Sequence, residues 1–210
     1  MSGFPLLVLL EGRRCCVVGG GPVAERKVGS LLEAGARVRV VAPAVTPALA
    51  ALAEAGRVEL ERRPYRPGDA EGALLVVAAT DDAAVNRQVW EEAEGRGQLV
   101  NAVDDPPHCN VFVPAVVRRG PLTLAVSTGG GAPALAARIR RRLEEQFPPA
   151  WGALIELLAD LRPAVKARYP DDEAARREAW YRAVDGDLLE RLERDGLAAA
   201  TRRARELLGL

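Results

Sequence analysis

The sequence predicts an α/β fold, in which a parallel sheet flanked by helices is followed by a strand-helix region and a small all-helical C-terminal domain. Three observations support this. Strand and helix patterns alternate through the first half of the chain. The apolar run 74–79 is typical of a strand buried on both faces. After Pro148 and Pro149 the pattern is helical to the end.

The sheet is predicted from five short apolar segments. Strands are expected at 15–18, 38–41, 58–60, 74–79 and 99–103, and helices at 22–33, 46–55 and 83–94. This order implies parallel strands with helices on both faces. The apolar segment 4–10 precedes them and is too short to span a membrane. We expect it to form a short strand or edge segment.

A β-hairpin is predicted where the alternation ends. Its strands are 111–117 and 122–126, and Arg118-Arg119-Gly120-Pro121 joins them with a sequence typical of a tight turn. Helices are then expected at 133–146, 151–168, 173–184, 188–194 and 197–208. The predicted regions are therefore 1–112, 113–147 and 148–210.

The composition argues against several functional classes. The 29 Lys and Arg residues balance 29 Asp and Glu residues, so nothing attracts the chain as a whole to nucleic acid or an acidic membrane. The three cysteines are odd in number and form no CxxC pair, which argues against a disulfide framework and a thiolate zinc site. We expect a protein of the reducing cytoplasm.

A glycine-rich turn predicts a dinucleotide site of the Rossmann type. Gly19, Gly21 and Ala24 occupy the marked positions of G-x-G-x-x-G/A. The first glycine permits the tight turn, the second admits the pyrophosphate, and the alanine lets helix and strand pack closely. The amides at the helix start face the phosphates. The predicted contacts here are Gly19, Gly20, Gly21, Pro22, Val23 and Ala24.

The ribose site lacks its usual acidic residue. The end of the second strand carries Pro43 and Ala44 where Asp or Glu is common, so contact there would come from backbone. Arg37 and Arg39 lie within the strand and are poorly placed to bind a 2′-phosphate. NAD is therefore preferred, and NADP stays open.

The loop after the fourth strand is expected to lie beside the coenzyme as well. Thr80 and Asp81 are its predicted coenzyme contacts. The same loop, with Asp82, also reads as an N-cap for the helix that follows.

Several segments, in order, carry a resemblance to a known family. Residues 19–27 read GGGPVAERK, and further motifs are AATDD at 78–82, VNAVDDP at 100–106, CNVFVPA at 109–115 and VSTGGGAP at 126–133. In order and spacing these resemble precorrin-2 dehydrogenases, the N-terminal module of siroheme synthases, over about residues 4–145. The helical remainder is similar in character more than in motif.

The resemblance implies NAD-dependent oxidation of precorrin-2 to sirohydrochlorin in siroheme biosynthesis. In some members it also implies insertion of ferrous iron, which would then be a substrate. It implies a homodimer, with the region 113–147 supplying much of the contact. From the neutral charge balance, no nucleic-acid or membrane partner is expected.

One carboxylate is the expected catalytic group. Asp104 follows the strand 99–103, at the edge where the coenzyme ring should lie. Oxidising a reduced tetrapyrrole requires loss of a hydride and a proton, and a nearby carboxylate can act as general base. The resemblance places the family's essential aspartate here. Asp105, which precedes Pro106, is expected to shape a turn.

Substrate carboxylates need local donors in a neutral chain. A turn before a helix offers hydroxyls and amides that form an anion nest, and the helix carries several arginines. The predicted substrate contacts are Asn101, Ser127, Thr128, Gly129, Gly130, Gly131 and Arg138. His108 is the single histidine, and no permanent metal site is predicted.

Two other functions are compatible with these residues. A Rossmann module could sense NAD(H) and regulate a partner without catalysis, but it would need neither Asp104 nor the turn at 127–131. An unrelated NAD(P) oxidoreductase with a smaller substrate would not bind porphyrinoids.

Overall fold

The computed structural model describes residues 3–210, which divide into two compact units. The first unit ends at Val113, and the second is Pro114–Leu210. The predicted further division of the second part at residue 147 stays a prediction.

The first unit is a five-stranded parallel sheet with three helices. In chain order its elements are β1 (Arg14–Val18), α1 (Pro22–Glu33), β2 (Arg37–Val41), α2 (Pro47–Glu54), β3 (Glu59–Glu61), β4 (Leu75–Ala78), α3 (Ala83–Gly95) and β5 (Leu99–Ala102). The strand order is β3-β2-β1-β4-β5, and every pairing is parallel. This confirms the predicted Rossmann-type sheet. The order reverses direction at β1, where such sheets bind their ligands.

The sheet is covered on both faces, as predicted. Val28 of α1 and Leu49 of α2 pack with Val17 and Val40 in one core. On the other face, Val89 of α3 packs with strand residues of β1, β4 and β5. Because strand side chains alternate between faces, β1 contributes to both cores.

The prediction of a strand at 4–10 is wrong. Residues 3–10 form no helix or strand, and Phe4, Leu6 and Leu9 are more than three-quarters exposed. Pro5 has no N–H to donate to a ladder. Leu10 alone in this segment is buried, at the edge of the first core.

The second unit begins with the hairpin β6 (Ala115–Arg119) and β7 (Leu122–Val126), followed by α4 (Pro133–Gln146). The predicted first strand, 111–117, is therefore displaced toward the turn. Val111 instead donates its N–H to the carbonyl of Val100 in β5, and Pro114 lacks an N–H. Arg119 donates from Nε to the carbonyl of Phe147 at 2.7 Å, which ties the hairpin to the end of α4.

The rest of the second unit is helical, as predicted. It comprises α5 (Ala150–Arg168), α6 (Glu173–Val184), α7 (Leu188–Asp195) and α8 (Leu197–Leu208). These helices share a core of small and aliphatic side chains that includes Leu161, Val165 and Leu208. Within residues 3–210, no helix has both the length and the apolar character needed to cross a bilayer.

Candidate functional site

A cleft of about 860 Å³ lies at the carboxyl edge of the parallel sheet, within the first unit. The ends of β1 and β2 and the segments that follow all five strands contribute to its walls. Its lining residues are Val18, Gly19, Gly20, Gly21, Pro22, Val23, Val41, Ala42, Pro43, Ala44, Val45, Thr46, Pro64, Tyr65, Ala79, Thr80, Asp81, Asp82, Val85, Val103 and Asp104. These residues include three aspartates and neither lysine nor arginine.

The cleft gathers nearly all of the predicted coenzyme residues. The glycine turn, Pro43 with Ala44, and Thr80 with Asp81 line one cavity, although they lie far apart in the chain. Ala24 is fully buried in the first core instead. That position agrees with its expected part in close helix–strand packing.

Two of the three turn glycines are required by their surroundings. Gly19 has φ +129°, and a Cβ there would lie 2.2 Å from the carbonyl oxygen of Ala79. At Gly20 a Cβ would lie 2.0 Å from the carbonyl oxygen of Ala44. The motif treats the Gly20 position as variable, so the sequence pattern missed this contact. It brings the loop after β2 against the turn, where Thr46 also donates its N–H to the Gly20 carbonyl at 2.9 Å.

Gly21 differs from its neighbours because a Cβ there would meet no atom within 4 Å. It is the N-cap of α1, and no side chain caps this helix. The open space and the uncapped first-turn amides are what a bound pyrophosphate needs. These residues therefore fit the diphosphate of a dinucleotide.

The loop after β4 is held by one buried asparagine. Asn86 accepts from Thr80 Oγ1 at 2.8 Å and donates to the Thr80 carbonyl at 2.8 Å. Asp82 caps α3 by accepting from the amides of Ala84 and Val85. The capping part of the sequence interpretation is confirmed, and Asp81 is left exposed at the cleft.

Asp104 lines the β5 side of the cleft, and its side chain is exposed. The backbone of Asp104 has φ +58°, in the left-handed region. Within residues 3–210, every other residue with a positive φ is a glycine. An L-residue in that conformation is strained, and aspartate tolerates it better than most. Strained backbone of this kind often occurs at functional sites.

Lys27 of α1 interacts electrostatically with Asp104. The pKa of Lys27 is lowered, chiefly by burial and then by Arg26, whereas Asp104 and Cys109 act in the opposite direction. The sequence interpretation quoted this residue in a motif but assigned it no role. Its electrostatic interaction with Asp104 depends on the fold, because the two residues lie far apart in the chain.

The short 3-10 turn Pro106–His108 lies two residues after Asp104 and is held by two contacts of His108. His108 Nδ1 lies 2.7 Å from the Asp105 carboxylate, and its ring meets Trp90 edge-on with centroids 4.6 Å apart. Asp105 shapes this turn, as expected. His108 has a partner in the same turn and a neighbour on α3.

Asn101 lies on β5 and is buried. Its side-chain amide donates to the carbonyl of Val111 at 3.1 Å and to Cys109 Sγ at 3.6 Å. These contacts hold the segment that follows the 3-10 turn. Its predicted contact with substrate stays a prediction.

The predicted anion nest lies in the second unit. The Ser127 hydroxyl accepts from the amide of Gly129, and the Thr128 hydroxyl accepts from the amide of Ala132, both at 3.2 Å. Gly129 and Gly130 both have positive φ. The turn is thus preshaped by its own hydroxyls. Gly131 leads from it toward α4, whose Arg138 is exposed.

The thiols are not arranged for metal binding or nucleophilic chemistry. Burial raises the pKa of Cys16 to about 12, and it also raises the pKa values of Cys15 and Cys109. In the described part of the chain, no three His, Cys, Asp or Glu side chains are grouped so that they could hold a metal ion.

Pro64 and Tyr65 also line the cleft, and sequence reasoning did not find them. They follow β3 in a segment without a recognisable motif. The signal that could have pointed to them is their place after a strand of a parallel sheet, where loops reach the ligand edge.

Comparison with known families gives a consistent result along the chain. The model described as putative NAD(P)-binding matches residues 6–115. The sirohaem biosynthesis protein central model matches residues 119–146, and the sirohaem synthase dimerisation region matches residues 150–208.

Curated relatives are longer than this chain. The siroheme synthase of Chromobacterium violaceum is 46% identical over 200 residues, which are 95% of this chain and 42% of the relative. That of Pseudomonas entomophila is 48% identical over 191 residues, 91% of this chain and 41% of the relative. The chain thus spans less than half the length of these relatives.

A solved structure is similar over nearly its whole length. It is SirC, a precorrin-2 dehydrogenase, which is 28% identical with a TM-score of 0.73. The match covers 99% of this chain and 98% of that one.

Proposed function

This chain belongs to the NAD(P)-binding family of siroheme biosynthesis proteins, and we propose that it oxidises precorrin-2 to sirohydrochlorin with NAD as the hydride acceptor. One observation supports this most strongly. Asp104, a carboxylate held in a strained backbone conformation, lines the same cleft as the glycine turn. The proposed proton acceptor and the proposed coenzyme site therefore lie in one cavity.

The coenzyme is a nicotinamide dinucleotide, and when bound it supplies a hydride acceptor. The uncapped start of α1 would hold the diphosphate, and Gly21 leaves room for it. Pro43 and Ala44 would contact the ribose on the β2 side through their backbone. Thr80 and Asp81 would contact the coenzyme between its diphosphate and the nicotinamide end, which lies toward β5.

Asp104 would act as the general base. Conversion of precorrin-2 to sirohydrochlorin removes one hydride and one proton from the reduced ring. Bound NAD would supply the hydride acceptor. The carboxylate of Asp104 would accept the proton and pass it to solvent, to which its side chain is exposed.

We propose NAD rather than NADP because the cleft lacks a cation for a 2′-phosphate. Its described lining includes Asp81, Asp82 and Asp104 but neither Lys nor Arg. Arg39 lies within β2 and pairs with Glu59 and Glu61. Direct titration with the two coenzymes tests this preference, and tighter binding of NADP would overturn it.

The substrate carboxylates would be bound by the nest of the second unit. We propose that Ser127, Thr128 and the amides of Gly129, Gly130 and Gly131 contact these carboxylates. The amides of Gly129 and Gly131 donate within the turn in this structure and would have to turn toward the substrate. Arg138 supplies an exposed guanidinium one helical turn further along α4. Asn101 completes the proposed set, either by direct contact or by holding the segment after Asp104.

We further propose a cytoplasmic homodimer. The match to a dimerisation region at residues 150–208 and the matched central region at 119–146 support a dimer built from the second part of the chain. The same bounds support the proposed regions 1–112, 113–147 and 148–210. The unpaired cysteines suit a reducing compartment.

An anaerobic assay of the purified protein with precorrin-2 and NAD tests the function. We expect sirohydrochlorin and NADH to form in equal amounts. NAD binding without turnover would favour a coenzyme-sensing module, and turnover of a small substrate instead would favour an unrelated oxidoreductase. A second arm, with sirohydrochlorin and ferrous iron, tests iron insertion, for which Asp104 could accept the pyrrole protons.

A further inference from the structure

The cleft has two ends that topology distinguishes. In this fold the adenosine ribose is contacted from the end of the second strand, so the adenosine half of the coenzyme lies on the β2 side. There the cleft is walled by Pro43 and Ala44 after β2 and by Pro64 and Tyr65 after β3. Asp104 lies on the β5 side, which leaves that end for the nicotinamide.

Among the described residues that line the cleft, Tyr65 is the aromatic one. The others on this side are Pro, Ala, Val and Thr. Adenine is a flat aromatic base, and such bases stack on aromatic side chains with little dependence on further hydrogen bonds. The β2 side of the cleft therefore offers one flat aromatic surface on which adenine could stack, the ring of Tyr65.

The ring of Tyr65 is held in place through its hydroxyl. Tyr65 donates to the Glu92 carboxylate of α3 at 2.6 Å, and Glu92 also accepts from the amide of Gly68 at 2.9 Å and pairs with Arg96 at 3.2 Å. Burial raises the pKa of Tyr65, which keeps the hydroxyl protonated as a donor.

The segment that carries the ring is fixed independently. Arg63 donates twice to the Asp69 carboxylate at 2.7 Å, and that carboxylate accepts from the amide of Arg66 at 2.8 Å. Asp69 is 8% exposed, so this bidentate pair is shielded from water on the acidic side. The two sets of bonds close the loop on either side of Tyr65 and leave the ring little freedom.

We propose that Tyr65 is the stacking wall for the adenine ring of the coenzyme and that Glu92 is the positioning residue that fixes the ring's orientation. This rests on the proposed function only in taking the coenzyme to be a dinucleotide. A wall that is already rigid loses little entropy when the base binds, so it adds affinity efficiently.

Fragments of the coenzyme separate this proposal from a general loss of structure. We expect Tyr65→Leu to weaken binding of AMP and of NAD about tenfold, with binding of nicotinamide mononucleotide unchanged. Tyr65→Phe keeps the ring but loses the hydrogen bond to Glu92, so it should recover only part of the affinity for AMP. Tyr181→Leu, at an exposed tyrosine of the second unit, is the matched control.

Two results would overturn the proposal. One is undiminished AMP binding by Tyr65→Leu. The other is an equal loss of AMP and nicotinamide mononucleotide binding, which would indicate a disturbed cleft. If the native chain bound neither NAD nor AMP, the proposed function itself would fail, whereas normal NAD turnover with an indifferent Tyr65 would remove this inference alone.

A measurement on the native chain complements the binding data on the variants. The sequence has three tyrosines, so ring-labelled tyrosine gives a simple NMR spectrum in which Tyr65 is identified from its absence in Tyr65→Phe. AMP should shift the Tyr65 ring signals by stacking, and nicotinamide mononucleotide should not. Tyr65 signals that do not respond to AMP would contradict the proposal.

Discussion

The α-carbon of Gly20 packs against the carbonyl oxygen of Ala44 so closely that a Cβ would lie 2.0 Å from it. This contact joins the glycine turn to the loop after β2, which form adjacent walls of the cleft. At Gly21, one residue further, a Cβ would meet nothing within 4 Å. The fold thus requires the first of these glycines, and we expect the ligand to require the second.

Gly20→Ala should destabilise the protein without its ligand. The obstructing atom belongs to the backbone, so the loop after β2 must move to admit a methyl group. We expect the free energy of unfolding to fall by about 1–3 kcal/mol, as for other overpacked sites. Chemical denaturation of the coenzyme-free protein measures this, and an unchanged midpoint would show that the loop yields freely.

Gly21→Ala should leave stability unchanged and weaken coenzyme binding. Gly21 has φ −81°, a value open to alanine, and its surroundings are empty. The added methyl group would instead occupy the space assigned to the pyrophosphate. We expect at least a loss of about tenfold in NAD affinity, by isothermal titration. Native affinity in this variant would mean that the diphosphate does not lie at the turn.

Asp104→Asn should remove catalysis but not folding or coenzyme binding. Asparagine tolerates the φ of +58° and keeps the size of the side chain, but it cannot accept a proton. We expect turnover to fall by about 10²- to 10⁴-fold, the usual contribution of a general base. Asp104→Ala should lose activity similarly, and near-normal turnover in either variant would remove Asp104 from the mechanism.

Asp69→Asn should lower stability in a way that depends on pH. The Arg63 guanidinium holds the pKa of Asp69 below its ordinary value of 3.8. A lowered pKa in the folded state means that the stabilisation is complete above pH 3.8 and is lost as the pH falls through the folded value. At pH 7 we expect the variant to be less stable by about 1–3 kcal/mol.

The difference in the free energy of unfolding between Asp69→Asn and the native protein should become smaller in acid. Denaturation of both proteins from pH 7 to pH 2 isolates this group, since the other carboxylates titrate in both. A constant difference across that range would show that the carboxylate of Asp69 is not stabilised by its ion pair. The same loop carries Tyr65, so the variant should also bind AMP more weakly at pH 7.

The proposed dimer has a direct test in solution. Light scattering during size-exclusion chromatography should give twice the mass of one 22.4 kDa chain. A chain that keeps the mass of a monomer at micromolar concentration would contradict the proposal. The coenzyme cleft lies within the first unit, so NAD binding should not require the dimer.

The central helix α1 and strand β4 were predictable because local signals agree there. Pro22 suits the first turn of a helix, apolar residues such as Val28 and Leu31 recur on one face, and Gly35 ends the segment. β4 is an uninterrupted apolar run with all four residues buried. Each element could therefore be read from its own residues.

Other features depend on residues distant in sequence. Tyr65 reaches the cleft because its hydroxyl binds Glu92, 27 positions away. The apolar pattern of residues 4–10 resembles a strand, but a strand also needs a partner, and periodicity does not reveal whether one is present. The positive φ of Asp104 could not be predicted either, because no motif in the sequence around it specifies that conformation.

A crystal structure with NAD and sirohydrochlorin bound together tests most directly whether one cavity joins the hydride acceptor to the proton acceptor. We predict the diphosphate at Gly21, adenine against Tyr65, and both the nicotinamide and the Asp104 carboxylate directly beside the tetrapyrrole. The Asp104 carboxylate should lie within hydrogen-bonding reach of the macrocycle. A tetrapyrrole bound away from the nicotinamide, with Asp104 facing bulk solvent, would contradict the account.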